Sequence, residues 1–284
     1  MAREGPIALF DSGEGGLTVL RTLRQQLPQY RFIYGADSCH FPYGEKSLED
    51  VRQWFLAFLD FFISSGASAV VIACNTATAA ALKDAEARSP VPVIGVVEPA
   101  ARRAAAVTKN GKIGVLSTES TYRSRLYPRT LKSLDPNLTV VAKPCPILVS
   151  MAENGDTEGY HVEDKVRQCV EPVLDTGVDT IILGCTHFPH MRQAFNRVVG
   201  QAAQIVDPGE EVGAALTAFG LSAAETIVPD TVAAWTTADP HHFSQIASKL
   251  CPDIPLVAHA LAWQHASLVN KDAPLLDNIP TNFG

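Results

Sequence analysis

Ala69-Val70-Val71-Ile72-Ala73-Cys74-Asn75-Thr76 is an unbroken apolar run that stops at a thiol and then turns polar. A short run of this kind, without alternation, reads as a strand buried on both faces, as in a parallel sheet. The alanine-rich stretch that follows, Thr76 to Ala87, reads as a helix. The Cys74 thiol therefore falls at the carboxyl end of a strand, where open α/β sheets bind ligands. It also faces a helix N-terminus, which favours a thiolate. Thr180-Ile181-Ile182-Leu183-Gly184-Cys185-Thr186-His187 repeats the arrangement in the second half of the chain.

Working outward, apolar runs alternate with helical periodicity. Strands are predicted at Ile7–Phe10, Arg31–Gly35, Val91–Val97, Lys112–Leu116, Leu138–Ala142 and Ala203–Val206. Pro92 favours a strand start or an edge. Helices are predicted at Gly15–Leu27, at Leu48–Ile63 with Val51, Phe55, Leu59 and Phe62 inward, and as a single segment from about Thr121 to before Pro136. Further helices are predicted at Val162–Leu174, where Pro172 suggests a kink, and at His190–Val199. Ile7-Ala-Leu-Phe-Asp11-Ser12 resembles Ile113-Gly-Val-Leu-Ser117-Thr118, and the two are followed by Cys74 and Cys185 after 63 and 68 residues.

The βαβα order and the repeat predict two pseudo-symmetric, doubly wound α/β domains with mostly parallel sheets and a site in the cleft between them. The expected division is residues 1–97 plus 208–284 for one domain and 98–207 for the other. Beyond Pro208 the pattern is less regular. A strand at Thr231–Thr236 and a helix at Pro240–Leu250 are expected to close the first sheet, with about the last twenty residues running over the surface.

The 284 residues are 46% hydrophobic and 19% charged, which suits a globular protein with an ample core. The net charge of −7 and the lack of any basic block argue against direct nucleic-acid binding. The first twenty residues carry Glu4, Asp11 and Glu14, unlike a signal peptide, and the most apolar helix, interrupted by Asp60, is too short to cross a bilayer. The six cysteines form no CxxC and read as free thiols in a reducing compartment. A cytoplasmic protein is expected.

Either cysteine alone reads equally well as a small buried residue. Two in matched contexts suggest a base and an acid on opposite faces of one carbon, which would invert a stereocentre. His187 is placed to tune Cys185 or to shuttle its proton. Cys185-x-His187-x-x-His190 also has a flavour of zinc, but no further Cys/His group stands at ligand spacing, so no metal is expected. Asp11-Ser12-Gly13-Glu14-Gly15-Gly16 reads as a cap and Gly-rich turn or as a carboxylate-binding helix start. It is neither GxGxxG nor a Walker sequence. Pro42-Tyr43-Gly44 is a turn whose backbone can approach a ligand. Asn75, Thr76, Thr118, Thr121 and Thr186 are short polar groups just after strands, suited to carboxylates and equally to helix caps.

Several of these segments together resemble one family. Phe10-Asp11-Ser12-Gly13-x-Gly15-Gly16-Leu17-Thr18-Val19, Pro42-Tyr43-Gly44, Cys74-Asn75-Thr76-Ala77-Thr78-Ala79, Val97-Glu98-Pro99, Gly184-Cys185-Thr186-His187-x-Pro189 and Thr236-Thr237-x-Asp239 are similar to the motifs of the glutamate racemases, in the same order. The resemblance implies a cofactor-independent enzyme that interconverts L- and D-glutamate for peptidoglycan. It implies that Cys74 and Cys185 are the acid/base thiols, with Asp11 assisting the first and Glu153 and His187 the second. Glu153 enters only through the motif Cys145-Pro-Ile-Leu-Val-Ser-Met-Ala-Glu153-Asn-Gly155, since by itself it reads as a turn residue. The resemblance further assigns Asp11, Ser12, Pro42, Tyr43, Gly44, Asn75, Thr76, Thr118, Thr121, Thr186 and His187 to the substrate. A homodimer is implied as well, and a contact with DNA gyrase by family analogy alone.

The chain departs from the family pattern at Glu14, where an aliphatic residue is usual, at Ala100, at Ser150-Met151-Ala152, at Phe188, at His190-Met191 and at Asp207-Pro208-Gly209. Two other readings stay open. One is an aspartate or hydantoin racemase, or a related isomerase or decarboxylase, on the same fold. The other is a regulatory binding protein that uses the cleft without turnover.

Overall fold

A computed structural model describes residues 5–221 and 230–271. In chain order the first elements are β1 (Ile7–Asp11), α1 (Leu17–Gln26), β2 (Phe32–Ala36), α2 (Leu48–Ser64), β3 (Ala69–Ile72), α3 (Asn75–Arg88), β4 (Val93–Gly95) and α4 (Val97–Val107). Then come β5 (Lys112–Ser117), α5 (Glu119–Ser124), α6 (Leu126–Leu134), β6 (Thr139–Pro144), α7 (Pro146–Glu153), α8 (Tyr160–Leu174), β7 (Thr180–Gly184), α9 (Arg192–Val199) and β8 (Gln204–Val206). The described chain continues through α10 (Pro208–Thr217), β9 (Val232–Thr236), α11 (Pro240–Leu250), β10 (Leu256–Gln264) and β11 (Ser267–Asn270).

Two sheets result. One has seven strands in the order β11-β10-β9-β2-β1-β3-β4, the other four in the order β6-β5-β7-β8. All pairings are parallel except β10 with β11. The runs β2-β1-β3-β4 and β6-β5-β7-β8 follow the same winding, so the repeat read from the sequence is a repeat of topology. In such an order the crevice opens beyond the carboxyl ends of the first and third strands. Those strands are β1 and β3 in one sheet and β5 and β7 in the other, and each thiol follows a third strand.

The two sheets share a core. Ile7, Leu9 and Val71 belong to one apolar cluster with Ile113, Val115 and Ile182, and the small residues Ala100, Ala101 and Ala104 of α4 lie in the same cluster. On the other face of the large sheet, α2 lays down aromatic residues: Phe10 meets Phe55 at 5.0 Å and Phe58 at 4.8 Å between ring centroids. Ser47 caps α2 by accepting from the Asp50 N–H, and its hydroxyl donates to the Asp50 carboxylate.

The structure corrects several element predictions. The single helix expected before Pro136 is two helices, α5 and α6, separated by Arg125 in the left-handed region at φ 55°. Pro128 is the cause: in an unbroken helix its ring would clash with the carbonyl four residues back, whereas the first turn of α6 tolerates it. Val97 opens α4 rather than ending a strand. Helices α4, α7 and α10 and strands β10 and β11 add to the expected elements. Helix α8, by contrast, matches the helix expected at Val162–Leu174 and holds Pro172 in its last turn. The tail extends the first sheet at the β2 edge, and β11 puts part of the final stretch into the sheet rather than leaving it as loose surface chain. Residues 272–284 lie outside the described residues.

Gly35, in the middle of β2, lets α2 close onto the sheet, because a Cβ there would lie 2.5 Å from Phe62 Cζ and 3.0 Å from Phe58 Cδ1. Gly35→Val is expected to destabilise the protein by about 1–3 kcal/mol through overpacking. Urea unfolding measures this, and an unchanged midpoint would mean that α2 can move away at no cost.

Candidate active site

The strand ends enclose a cavity of about 60 Å³ between the two sheets. Ser12, Cys74, Asn75 and Thr76 reach it from the large sheet, and Thr118, Cys185, Thr186 and His187 from the small one. Pro42, Tyr43 and Gly44 form a further wall. Both thiols thus line one cavity, each only 6% exposed.

Cys74 is the N-cap of α3, its sulfur accepting the Ala77 N–H at 3.4 Å, and it stands 3.9 Å from Ser12 Oγ. Burial, and then the charge of Asp11, push the Cys74 thiol far above its ordinary value, so it rests protonated. Cys185 has a different neighbour: its sulfur lies 3.8 Å from His187 Nδ1. The other ring nitrogen of His187 bonds Glu153, the last residue of α7. Burial alone would lower the His187 pKa, but the hydrogen bonds to Cys185 and Glu153 and the negative charges of those groups hold it well above the usual value. His187 is therefore an imidazolium, a local positive charge 3.8 Å from the Cys185 sulfur.

Asp11 stands behind the cavity wall, fully buried. Its Oδ2 accepts the Gly16 N–H at 2.9 Å, and the Thr186 hydroxyl donates to it at 3.4 Å. Thr18 donates to the Thr186 carbonyl at 3.2 Å. Asp11 therefore touches the Cys185 turn directly while its charge bears on Cys74. Burial pushes its carboxyl up to about 6, against the pull of the His187 charge. Gly15 has to be glycine at this junction, because a Cβ would lie 2.6 Å from the His187 ring and 2.7 Å from Thr186 Oγ1.

Across the cavity, Thr76, Thr118 and Thr121 form a triangle of hydroxyls with all three separations 3.0 Å. The triangle joins the start of α3 to the start of α5, whose N-cap is Thr118. The Tyr127 hydroxyl donates to Asn75 Oδ1 at 2.7 Å, which turns the Asn75 amide nitrogen the other way. Tyr43 is 1% exposed and its hydroxyl donates to Asp37 at 2.6 Å, so the Tyr43-Gly44 segment meets the cavity mainly with its backbone. Gly44 packs so closely that a Cβ would fall 2.8 Å from Thr118 Cβ.

Eleven of the residues singled out from the sequence line the cavity, while Asp11, Thr121 and Glu153 stand one contact behind it. Sequence reasoning missed Phe41, Glu45, Glu119, Pro146, Val149 and Ser150 in the lining. Phe41 stands 5.6 Å from the His187 ring, between centroids. Nothing in a lone Phe-Pro or in an apolar helix turn announces these positions. Among the described residues no three His, Cys, Asp or Glu side chains are grouped to hold a metal ion. His190 lies next to the Gly15 backbone, with its pKa pushed down to about 3 by burial and then by the His187 and Arg21 charges.

The profile of the Asp/Glu/Hydantoin racemase family matches residues 15–216. The chain belongs to this family. It is 44% identical over 264 residues to a glutamate racemase of Symbiobacterium thermophilum, covering 91% of this chain and 95% of that one. Its fold matches a crystal structure of a glutamate racemase isoform from Bacillus anthracis with a TM-score of 0.86 at 33% identity, over 93% and 99% of the two chains. It also matches the Francisella tularensis glutamate racemase solved with D-glutamate, with a TM-score of 0.82 at 26% identity over 91% and 97%. The protein is a two-domain α/β isomerase of the amino-acid racemase type.

In this racemase Glu14 adds a third carboxyl near the His187–Glu153 pair. It is 4% exposed, and burial, then the Glu153 charge, push it up to about 8 against the opposing pull of His187. The unfolded chain ionises Glu14 near 4.5 and the folded chain near 8. Between those values the native state binds the extra proton, so stability falls as pH rises. Glu14→Gln removes that loss. By calorimetry the variant should melt with wild type near pH 4 and progressively above it from pH 5 to 8. A difference in Tm independent of pH would contradict a buried, neutral Glu14.

Proposed function

We propose that this racemase interconverts L- and D-glutamate by proton transfer between its α-carbon and two thiols, Cys74 and Cys185. The observation that carries the reading is the placement of both thiols, from equivalent strand ends of two sheets, on one cavity. The relatives named as glutamate racemases support glutamate as the substrate. So does the cavity wall of hydroxyls and backbone, which suits a substrate with two carboxylates and one ammonium group.

In the proposed reaction a thiolate on one face takes the α-proton, so that the C–H electron pair is left on the carbanion-like α-carbon. The thiol on the other face then delivers its proton, and the configuration is inverted. The enantiomer consumed decides which sulfur begins as base. Cys74 is held as a thiol and the His187 imidazolium stands beside the Cys185 sulfur, and on that asymmetry we assign Cys185 the role of first base. The opposite direction requires a proton to move from the Cys74 side to the Cys185 side, and Asp11, pushed up to about 6 and hydrogen-bonded to Thr186, is the group we assign to assist it. Fixed donors at the helix starts, with Asn75, Thr76, Thr118, Thr121, Ser12, Thr186 and the Tyr43-Gly44 backbone, would hold the substrate while charge develops. The D-glutamate so formed would supply peptidoglycan synthesis in the cytoplasm.

Circular dichroism with a panel of enantiopure amino acids is expected to show turnover of L- and D-glutamate in preference to aspartate. In D2O the product of each turnover should carry deuterium at the α-carbon. Cys74→Ser and Cys185→Ser should each lower kcat by about 100-fold or more. Wild-type rates in both variants would sink the two-thiol mechanism. The wild-type gene should also restore growth of a D-glutamate-requiring bacterium.

A further inference from the structure

Asp37 follows β2, fully buried and outside the cavity lining. Four side-chain donors converge on its carboxylate. Tyr43 Oη at 2.6 Å and His40 Nδ1 at 2.8 Å bond Oδ2; Thr237 Oγ1 at 2.7 Å and Trp263 Nε1 at 3.0 Å bond Oδ1. Two bonds to each oxygen are a saturated shell for a carboxylate. Tyr43 and His40 belong to the segment that ends at the cavity wall. Thr237 follows β9 and Trp263 stands on β10. His40 is further clamped between rings, stacked on Trp54 at 4.0 Å with planes 4° apart and meeting the edge of Trp263 at 5.3 Å.

A hydrophobic residue of similar volume could fill such a position without the expense of burying a charge. What an apolar filler cannot do is fix the direction of the Tyr43 hydroxyl, and with it the backbone of 43–44. That segment is bounded on one side by the Tyr43–Asp37 bond and on the other by Thr118, which Gly44 approaches so closely that a Cβ would fall 2.8 Å from Thr118 Cβ. A small movement at Asp37 is therefore passed directly to the cavity wall.

We propose that Asp37 is the positioning residue of the 41–45 loop and that Trp263, on the C-terminal β10–β11 hairpin, is its remote support, so that this hairpin sets how tightly the racemase binds its amino-acid substrate. The inference rests on the racemase reading above and assigns a working role to the β10–β11 hairpin, which lies beyond the last family motif quoted, Thr236-Thr237-x-Asp239. Asp37 touches neither thiol, so its effect belongs in binding, equally for both enantiomers.

Steady-state kinetics in both directions test this with W263F and T237V, each of which removes one donor while keeping an apolar side chain in place, and with D37N, which weakens the shared acceptor at constant shape. W263F and T237V should raise KM for L- and D-glutamate alike by about threefold to tenfold, the scale of one lost hydrogen bond to a charged group, with kcat within about twofold of wild type. D37N, whose amide cannot accept all four bonds, should raise KM by about tenfold or more. Adding W263F to D37N should then have little further effect, because the two act through one bond. Unchanged KM in W263F and T237V would overturn the proposal, as would additive effects in the double variant or a fall confined to kcat. If D37N does not fold, W263F and T237V decide alone. A wild type inactive on glutamate would fail the substrate reading, and the same comparison then applies with whichever amino acid it does racemise. An active wild type with insensitive variants fails this proposal by itself.

Discussion

The site depends on a buried junction between the two sheets. At its centre the Asp11 carboxylate, at the end of β1, accepts from Gly16, the residue that caps the start of α1, and from Thr186 on the turn after β7. Thr18 adds a bond to the Thr186 carbonyl, and Gly15 lets the His187 ring lie against the chain. Each sheet can place a thiol at a strand end by its own winding, but only a fixed relation between the sheets brings the two thiols to one cavity. The polar contacts do this in the cavity floor, and the core shared through α4 does it beneath. The hydroxyl triangle of Thr76, Thr118 and Thr121 fixes the opposite wall.

The equivalence of the two halves ends at the side chains. Cys74 sits among neighbours that keep it neutral: apolar burial and a nearby carboxyl. Cys185 sits beside a histidine that two acceptors hold protonated. An acid and a base can be built from chemically identical thiols when their surroundings pull in opposite directions. The duplicated fold supplies the geometry, and unequal partners in the second layer of residues make the two sides of the cavity chemically different.

Much of this was legible in the sequence, for physical reasons. Buried parallel strands are short apolar runs, and the polar residues just after them fall at the carboxyl ends by necessity, so Cys74, Cys185, Ser12, Thr76 and Thr118 are placed by the sequence alone. The break at Arg125 was missed because its cause, Pro128, lies three residues later, inside a stretch that otherwise keeps helical periodicity. Glu153 was legible only through resemblance, since its partner His187 is distant in the chain and an acidic residue before Asn-Gly looks like a turn. Asp37 and Trp263 were not legible at all. They are 226 residues apart, and no local pattern marks either end of that bond.

The same separation governs the order in which the molecule can be assembled. Strands β5 to β8 are contiguous in the chain, so the smaller sheet can form as soon as its own residues are available. The larger sheet cannot: β9 joins β2, and β10 joins β9, only after the whole smaller sheet has been synthesised. Domains generally fold as units as the chain emerges, and long-range strand pairing is slow. This chain begins its larger sheet first and completes it last. Because the Asp37 shell closes only with Thr237 and Trp263, the wall that carries Tyr43 and Gly44 gains its last supports from residues made after the whole smaller sheet, which ties a complete cleft to the prior synthesis of both sheets.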